Sequence, residues 1–134
     1  MLTTECFCTH LRRAARGVTR HYDDALERFG INVAQFSLLR NIQRLDQPSI
    51  SSLAEAVGLD RSTLGRNLRV LETAGLVELA EGEDLRNRLV RVTPEGCQRL
   101  QVALPVWESA QQQLLEKVGA ERRDALFATL ELLE

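Results

Sequence analysis

The 134-residue chain is poor in residues that interrupt or staple a fold: it has three prolines, three cysteines, one tryptophan and one tyrosine, and aromatics make up 4%. With no low-complexity run and no linker-like stretch either, the length accommodates one domain over residues 1–134 and no more. No apolar run approaches the length of a membrane span. The opening MLTTECFCTHLRRAARG is broken by polar and charged residues and does not read as a signal peptide, so a cytoplasmic protein without a membrane partner is expected. In that compartment three cysteines are not a disulfide framework. A glycine-rich phosphate loop, an HExxH pair and a cysteine flanked by a recognisable histidine motif are all missing, which argues against an enzyme and against a bound cofactor. The chain carries 17 basic and 19 acidic residues, a formal charge of −2, so any attraction for a polyanion has to be local.

Such a locality exists between residues 50 and 92. Val57-Gly58-Leu59 supplies a glycine suited to positive φ, and Asp60 is a good N-cap for the segment after it, so two helices meet at a sharp turn. Ser51 or Ser52 is the expected cap of the first, with Ser52 and Glu55 at capping-box spacing. In the second, Leu64, Leu68 and Leu71 recur at helical steps and face the core, and Gly75 is a natural stop. Arg61, Ser62, Thr63, Arg66, Asn67 and Arg69 are then left to point outward or to the helix flanks, and from Arg61 to Leu71 there are three arginines and no acid. Arginine offers a rigid donor fork for guanine edges and phosphate, and short hydroxyl side chains allow close approach to a groove wall. Next come Val77 and Leu79, then Val90 and Val92, each pair alternating with polar neighbours around AEGEDLRNR with Gly82 as turn former, which predicts a basic β-hairpin. The order is that of a winged helix-turn-helix: a mainly α fold with a small β-hairpin wing.

The segments DRSTLGRNLRVLETAGLV and DLRNRLVRVTPEG resemble the recognition helix and wing of the MarR family of bacterial transcriptional regulators, with Asp84 and Arg86 as an Asp-x-Arg pair and Thr93 followed by Gly96. The resemblance runs over most of the chain. It implies that Ser62, Thr63 and Arg66 face the major groove of double-stranded DNA, that Arg86 probes the minor groove with Arg88 beside it, and that Asp84 holds the Arg86 guanidinium. Glu81 and Glu83 depart from a uniformly basic wing. The competing reading is a winged helix used only for protein contact, which apolar or acidic residues in place of Arg61, Arg66, Arg69 and Arg86 would mark.

The flanks are amphipathic. Phe7, Leu11, Ala14, Ala15, Val18, Tyr22, Ala25, Leu26 and Phe29 keep helical spacing and predict one long helix ending at Gly30; Asn32 then caps a second helix with Phe36, Leu38, Leu39, Ile42 and Leu45 inward. Thr93-Pro94 opens a helix toward Lys117 with a bend expected at Pro105, and AERRDALFATLELLE forms a last helix. A lobe of residues 31–93 cannot cover so much apolar surface, so residues 1–30 and 94–134 are expected to form a homodimer that presents two recognition helices to a pseudo-palindromic operator. Trp107 is expected in the core of that interface.

For control the sequence offers two routes. Cys8 lies in the first turn of the first helix, four residues before Arg12, and its place fourteen residues before Tyr22 is similar to the thiol-sensing OhrR branch of the family, so Cys8, Cys6 and Tyr22 are candidates for a redox sensor. An inert structural cysteine is the alternative. Arg12 and Val33 stand where that branch has its other tyrosines. Cys6 and His10 share a helix side, but at most two ligands converge there without Cys97 or a partner chain, so no metal site is expected. The resemblance also implies a cleft for a small-molecule effector, to which Arg12, Arg16, His21, Tyr22 and Phe36 are the candidate contributors.

Overall fold

The computed structural model describes residues 3–81, 84 and 87–134. Its helices are α1 (Phe7–Leu26), α2 (Val33–Leu45), α3 (Ile50–Val57), α4 (Arg61–Thr73), α5 (Pro94–Val118) and α6 (Ala120–Glu131), and the strands β1 (Val77–Leu79) and β2 (Val90–Val92) lie between α4 and α5. The α-helical part of the first helix stops at Leu26, short of the expected Gly30. A 3-10 turn over Glu27–Phe29 completes it, and Gly30 closes the turn with φ 70.

Local chemistry starts the helices. Asn32 and Gln35 form a reciprocal capping box at α2, the Asp60 side chain accepts from Thr63 N–H at α4, and Thr93 accepts from Gly96 N–H at α5 with Pro94 behind it. At α3 the cap is Ser49, not Ser51 or Ser52: Ser52 N–H donates to the Ser49 hydroxyl at 3.1 Å. The reason is tertiary. Ser49 pairs with Leu89 as an isolated antiparallel bridge, Ile50 N–H donates to the Arg88 carbonyl at 3.0 Å, and Val90 N–H donates to the Pro48 carbonyl at 2.9 Å. The return strand of the hairpin thus fixes where α3 begins.

The core sits under the lobe. Leu64, Leu68 and Leu71 of α4 meet Phe36, Leu39 and Ile42 of α2, Leu53 of α3, and Val77 and Val90 of the hairpin, all at most 1% exposed. Burial of a leucine of this kind stabilises the lobe by about 1.5–3 kcal/mol. The hairpin is in the register Val77 with Val92, Glu78 with Arg91 and Leu79 with Val90, with an ion pair between Arg91 and Glu78 on its outer face. Trp107 stacks within the chain on Phe36 and Tyr22, at ring-centroid distances of 5.6 and 6.3 Å, and stays partly exposed. Pro105 lies inside α5, which continues as one helix to Val118.

The outer helices have no such cover. Along α1 every residue from Phe7 to Arg20 is exposed, and the apolar side chains of α6 and the residues after it are open, with Phe127 at 51% and Leu133 at 56%. The chain exposes 9493 Å² in all. A compact monomer of its mass would expose roughly 7,100 Å².

Candidate nucleic-acid interface

The recognition surface is built on α4. Its three buried leucines orient the helix so that Arg61, Ser62, Arg66, Asn67 and Arg69 are exposed, as their spacing predicts. Among the described residues no carboxylate closes a salt bridge with Arg61, Arg66 or Arg69. Thr63 is only half exposed, because Asp60 holds it: Asp60 accepts Thr63 N–H at 2.8 Å and the Thr63 hydroxyl at 3.0 Å. The same hydroxyl oxygen accepts from Arg66 Nη2 at 3.3 Å. A chain of contacts therefore runs from the cap carboxylate to a guanidinium on the outer face. The Thr63 amide first, then its hydroxyl, and more weakly the charge of Arg66 hold the Asp60 carboxyl below its ordinary pKa.

Beside α4 the hairpin encloses a cleft of about 830 Å³, with Arg61, Ser62, Gly65 and Arg69 along the helix and Leu79 and Arg88 on the wing. Arg88, expected to face DNA, is folded back: its Nε donates to the Ala80 carbonyl at 2.6 Å and its Nη2 to the Leu79 carbonyl at 3.5 Å. It braces β1 and only edges the cleft. Asp84 also lines the cleft. Arg86, to which the minor-groove role was assigned, lies outside the described residues.

The wing root is packed to contact. The Thr93 hydroxyl donates to the Gly75 carbonyl at 2.7 Å and accepts Gly96 N–H at 3.0 Å, while Thr93 N–H donates to the Leu76 carbonyl at 3.0 Å. A Cβ at Gly96 would lie 2.3 Å from the Leu76 carbonyl oxygen and 2.7 Å from Val92 Cγ1, so only glycine fits where α5 crosses the hairpin.

The two control routes fare differently. Cys6 is the N-cap of α1 and Cys8 sits in its first turn; both thiols are exposed, and Cys97 is half-buried. No formal cap bond reaches the Cys6 sulfur, but the Thr9 hydroxyl, then the amides of Thr9 and Cys8, face it and hold its pKa below that of an ordinary thiol. Of the candidate sensor thiols, Cys6 has neighbours that favour its thiolate. His10, on the same helix side, engages the Thr4 carbonyl through Nε2 at 2.7 Å.

The five candidate effector residues do not share one cavity, although Tyr22 and Phe36 both stack on Trp107. Arg12 and Arg16 are exposed on α1; His21 Nε2 meets the Ala110 carbonyl at 3.0 Å; and Tyr22 donates to Gln111 Oε1, so these two side chains tie α1 to α5. Burial raises the Tyr22 pKa. Tyr22 lines an apolar cavity of about 240 Å³ against Leu114, Val118 and Phe127, whereas Phe36 lines a separate one of about 400 Å³ with Ser37, Arg40 and Trp107. Sequence reasoning missed Arg40, whose guanidinium lies 5.8 Å from the Phe36 ring centre and 5.3 Å from that of Trp107. Its place one turn after Phe36 on an exposed helix face was the available signal.

Residues 29–86 match the MarR family. The chain is 32% identical over 102 residues to the uncharacterized HTH-type transcriptional regulator YdgJ of Bacillus subtilis (strain 168), an alignment covering 75% of this chain and 62% of that protein. It is 33% identical over 99 residues to the transcriptional regulator HosA of Escherichia coli O157:H7, covering 72% and 71% of the two chains. Among solved structures, the M. tuberculosis transcriptional regulator MosR in complex with DNA superposes with a TM-score of 0.82 at 38% identity, over 94% of this chain and 93% of MosR. The fold and these relatives agree: the chain belongs to the MarR family of transcriptional regulators.

Proposed function

We propose that the protein is a homodimeric, sequence-specific regulator that binds double-stranded DNA and acts as a repressor released by an effector of its helical hub. One observation carries the DNA reading: in a chain of formal charge −2, the exposed face of α4 presents Arg61, Arg66 and Arg69, none of them in a salt bridge with a described carboxylate. A protein-docking version of the fold would spend that face on apolar or acidic groups. The relative solved with DNA, MosR, supports the same reading. Ser62, Arg66 and Asn67 serve the major groove, Arg69 the backbone, and Arg86, with Asp84 as its orienter, the minor groove.

The dimer follows from surface. An excess of roughly 2,400 Å² over a compact monomer is the size of a stable interface, and α1 and α6 leave Phe7, Leu11, Val18, Leu126 and Phe127 exposed. Two lobes on such a hub meet half-sites about one helical turn apart. Release then requires an effector that prefers one spacing of the lobes over the other. Cys6, with its favoured thiolate, supports an oxidant as that effector, and the cavity beside Arg40 and Trp107 supports a small molecule.

The test is fluorescence anisotropy on the duplex upstream of the protein's own gene, with random-sequence competitor, alongside light scattering. A particle of twice 15.1 kDa that binds this duplex over random DNA, with Arg66→Ala losing more affinity for it than for competitor, is expected. A monomer, or binding no better than to random DNA, overturns the reading and favours a protein-contact module.

A further inference from the structure

We propose that Gly65 is a clearance position: its bare backbone seats the sugar–phosphate ridge of the DNA strand that runs between α4 and the wing. The inference rests on the DNA-binding reading above. It begins from a residue with no role in the fold. Gly65 lies in the middle of α4, where glycine is the least favoured residue after proline. A Cβ there would meet nothing within 4 Å, and the position has no positive φ. Neither packing nor conformation asks for glycine, in contrast to Gly96 at the wing root. A local rule broken with no internal reason marks a demand made from outside the chain.

The position of Gly65 names the demand. It lines the cleft between α4 and the hairpin, flanked along the helix by Arg61, Ser62 and Arg69. When a helix occupies the major groove and a wing the adjacent minor groove, the backbone of one strand passes between them. The cleft matches that ridge in chemistry. Its lining has an apolar patch from the partly exposed Leu79 for the faces of deoxyribose, and Arg61 and Arg69 for phosphate. Glu72 and Asp84 share the lining with three arginines, leaving a single net positive charge, so it is shaped for a ridge and is not a general anion trap. A side chain at position 65 would stand between helix and ridge.

The contact is therefore steric and independent of both sequence and charge, and this separates it from base reading and from ion pairing. The experiment compares wild type, Gly65→Ala, Gly65→Val and Arg69→Ala on the promoter-region duplex and on a random duplex of equal length, over a salt series, with thermal melts of the free proteins. Gly65→Ala is expected to melt about 2–4 °C higher, as alanine replaces glycine in a helix. It is also expected to bind both duplexes about tenfold more weakly or worse, with their affinity ratio and the salt slope unchanged. Gly65→Val loses more affinity, while Arg69→Ala flattens the salt slope by about one unit. Wild-type affinity in Gly65→Ala overturns the proposal, as does a loss confined to the promoter duplex or a loss that accompanies a lower melting point. Failure of wild type to bind either duplex removes the DNA reading itself and this inference with it.

Discussion

Replacing Gly96 by alanine adds one methyl group and should unseat the wing. The new Cβ would sit 2.3 Å from the Leu76 carbonyl oxygen and 2.7 Å from Val92 Cγ1, and the first of these is backbone that cannot rotate away. Clearing it takes a shift on the order of 1 Å between α5 and β1, through a site where Thr93 bonds both Gly75 and Gly96. Overpacking of a dense site costs about 1–3 kcal/mol, and contact with rigid backbone places this case at the upper end. Better helix propensity returns up to about 1 kcal/mol. The net loss is about 2 kcal/mol, which for a chain of this length lowers the melting temperature by roughly 6–10 °C. The assay is thermal unfolding followed by circular dichroism at fixed protein concentration, since a dimer's midpoint depends on it. A midpoint within about 2 °C of wild type would refute the packing argument, because α5 would then have room that the geometry denies.

Two further outcomes follow from the titrating groups. Cys6 should be alkylated by iodoacetamide faster than Cys8 at pH 7, with a rate that rises at lower pH than for a model thiol, and Thr9→Val should move that profile back up; peptide mass mapping with Cys8 reacting first would reject the assignment. Asp60→Asn keeps the Thr63 amide capped and removes the charge. The wild-type carboxyl has a folded pKa below its unfolded value, so its contribution is complete above that unfolded value and fades as pH falls through the folded one. Wild type should therefore be the more stable at pH 7, with the gap to Asp60→Asn closing as pH falls below the ordinary carboxylate range; a gap that is constant with pH contradicts the ionic part of the cap.

Much of the lobe was legible because its signals are local. Asn32, Asp60 and Thr93-Pro94 announce helix starts within three residues of the groups they bond, and the leucines of α4 fix its outward face by period alone. What escaped depends on a neighbour distant in sequence. Ser49 rather than Ser51 begins α3 because Leu89 pairs with it, and no pattern within α3 records that. The family resemblance set Arg88 beside the minor-groove arginine, yet its side chain is long enough to curl onto the carbonyls of Leu79 and Ala80. The stacking of Trp107 on Phe36 and Tyr22 was not legible because these partners come from two other helices. Which of the two sulfurs, Cys6 or Cys8, stands at the N-cap depends on where α1 begins, and periodicity does not locate a helix end that finely.

The stitch between the α2–α3 connection and the hairpin bears on how such a protein can be switched. Asp46 and Gln47, at φ 53 and 57, swing the chain out of α2 so that Pro48, Ser49 and Ile50 run alongside Arg88, Leu89 and Val90, adding a short third rung to the two-stranded wing. The wing is thereby geared to the helix that precedes the turn, and the groups that address the two grooves share one mechanical frame with few independent joints. An effector has no need to reach the wing or the recognition helix. Because α2 packs on α1 and α5 and also on α3 and β2, a tilt imposed at that mounting would reach the recognition helix and the wing together.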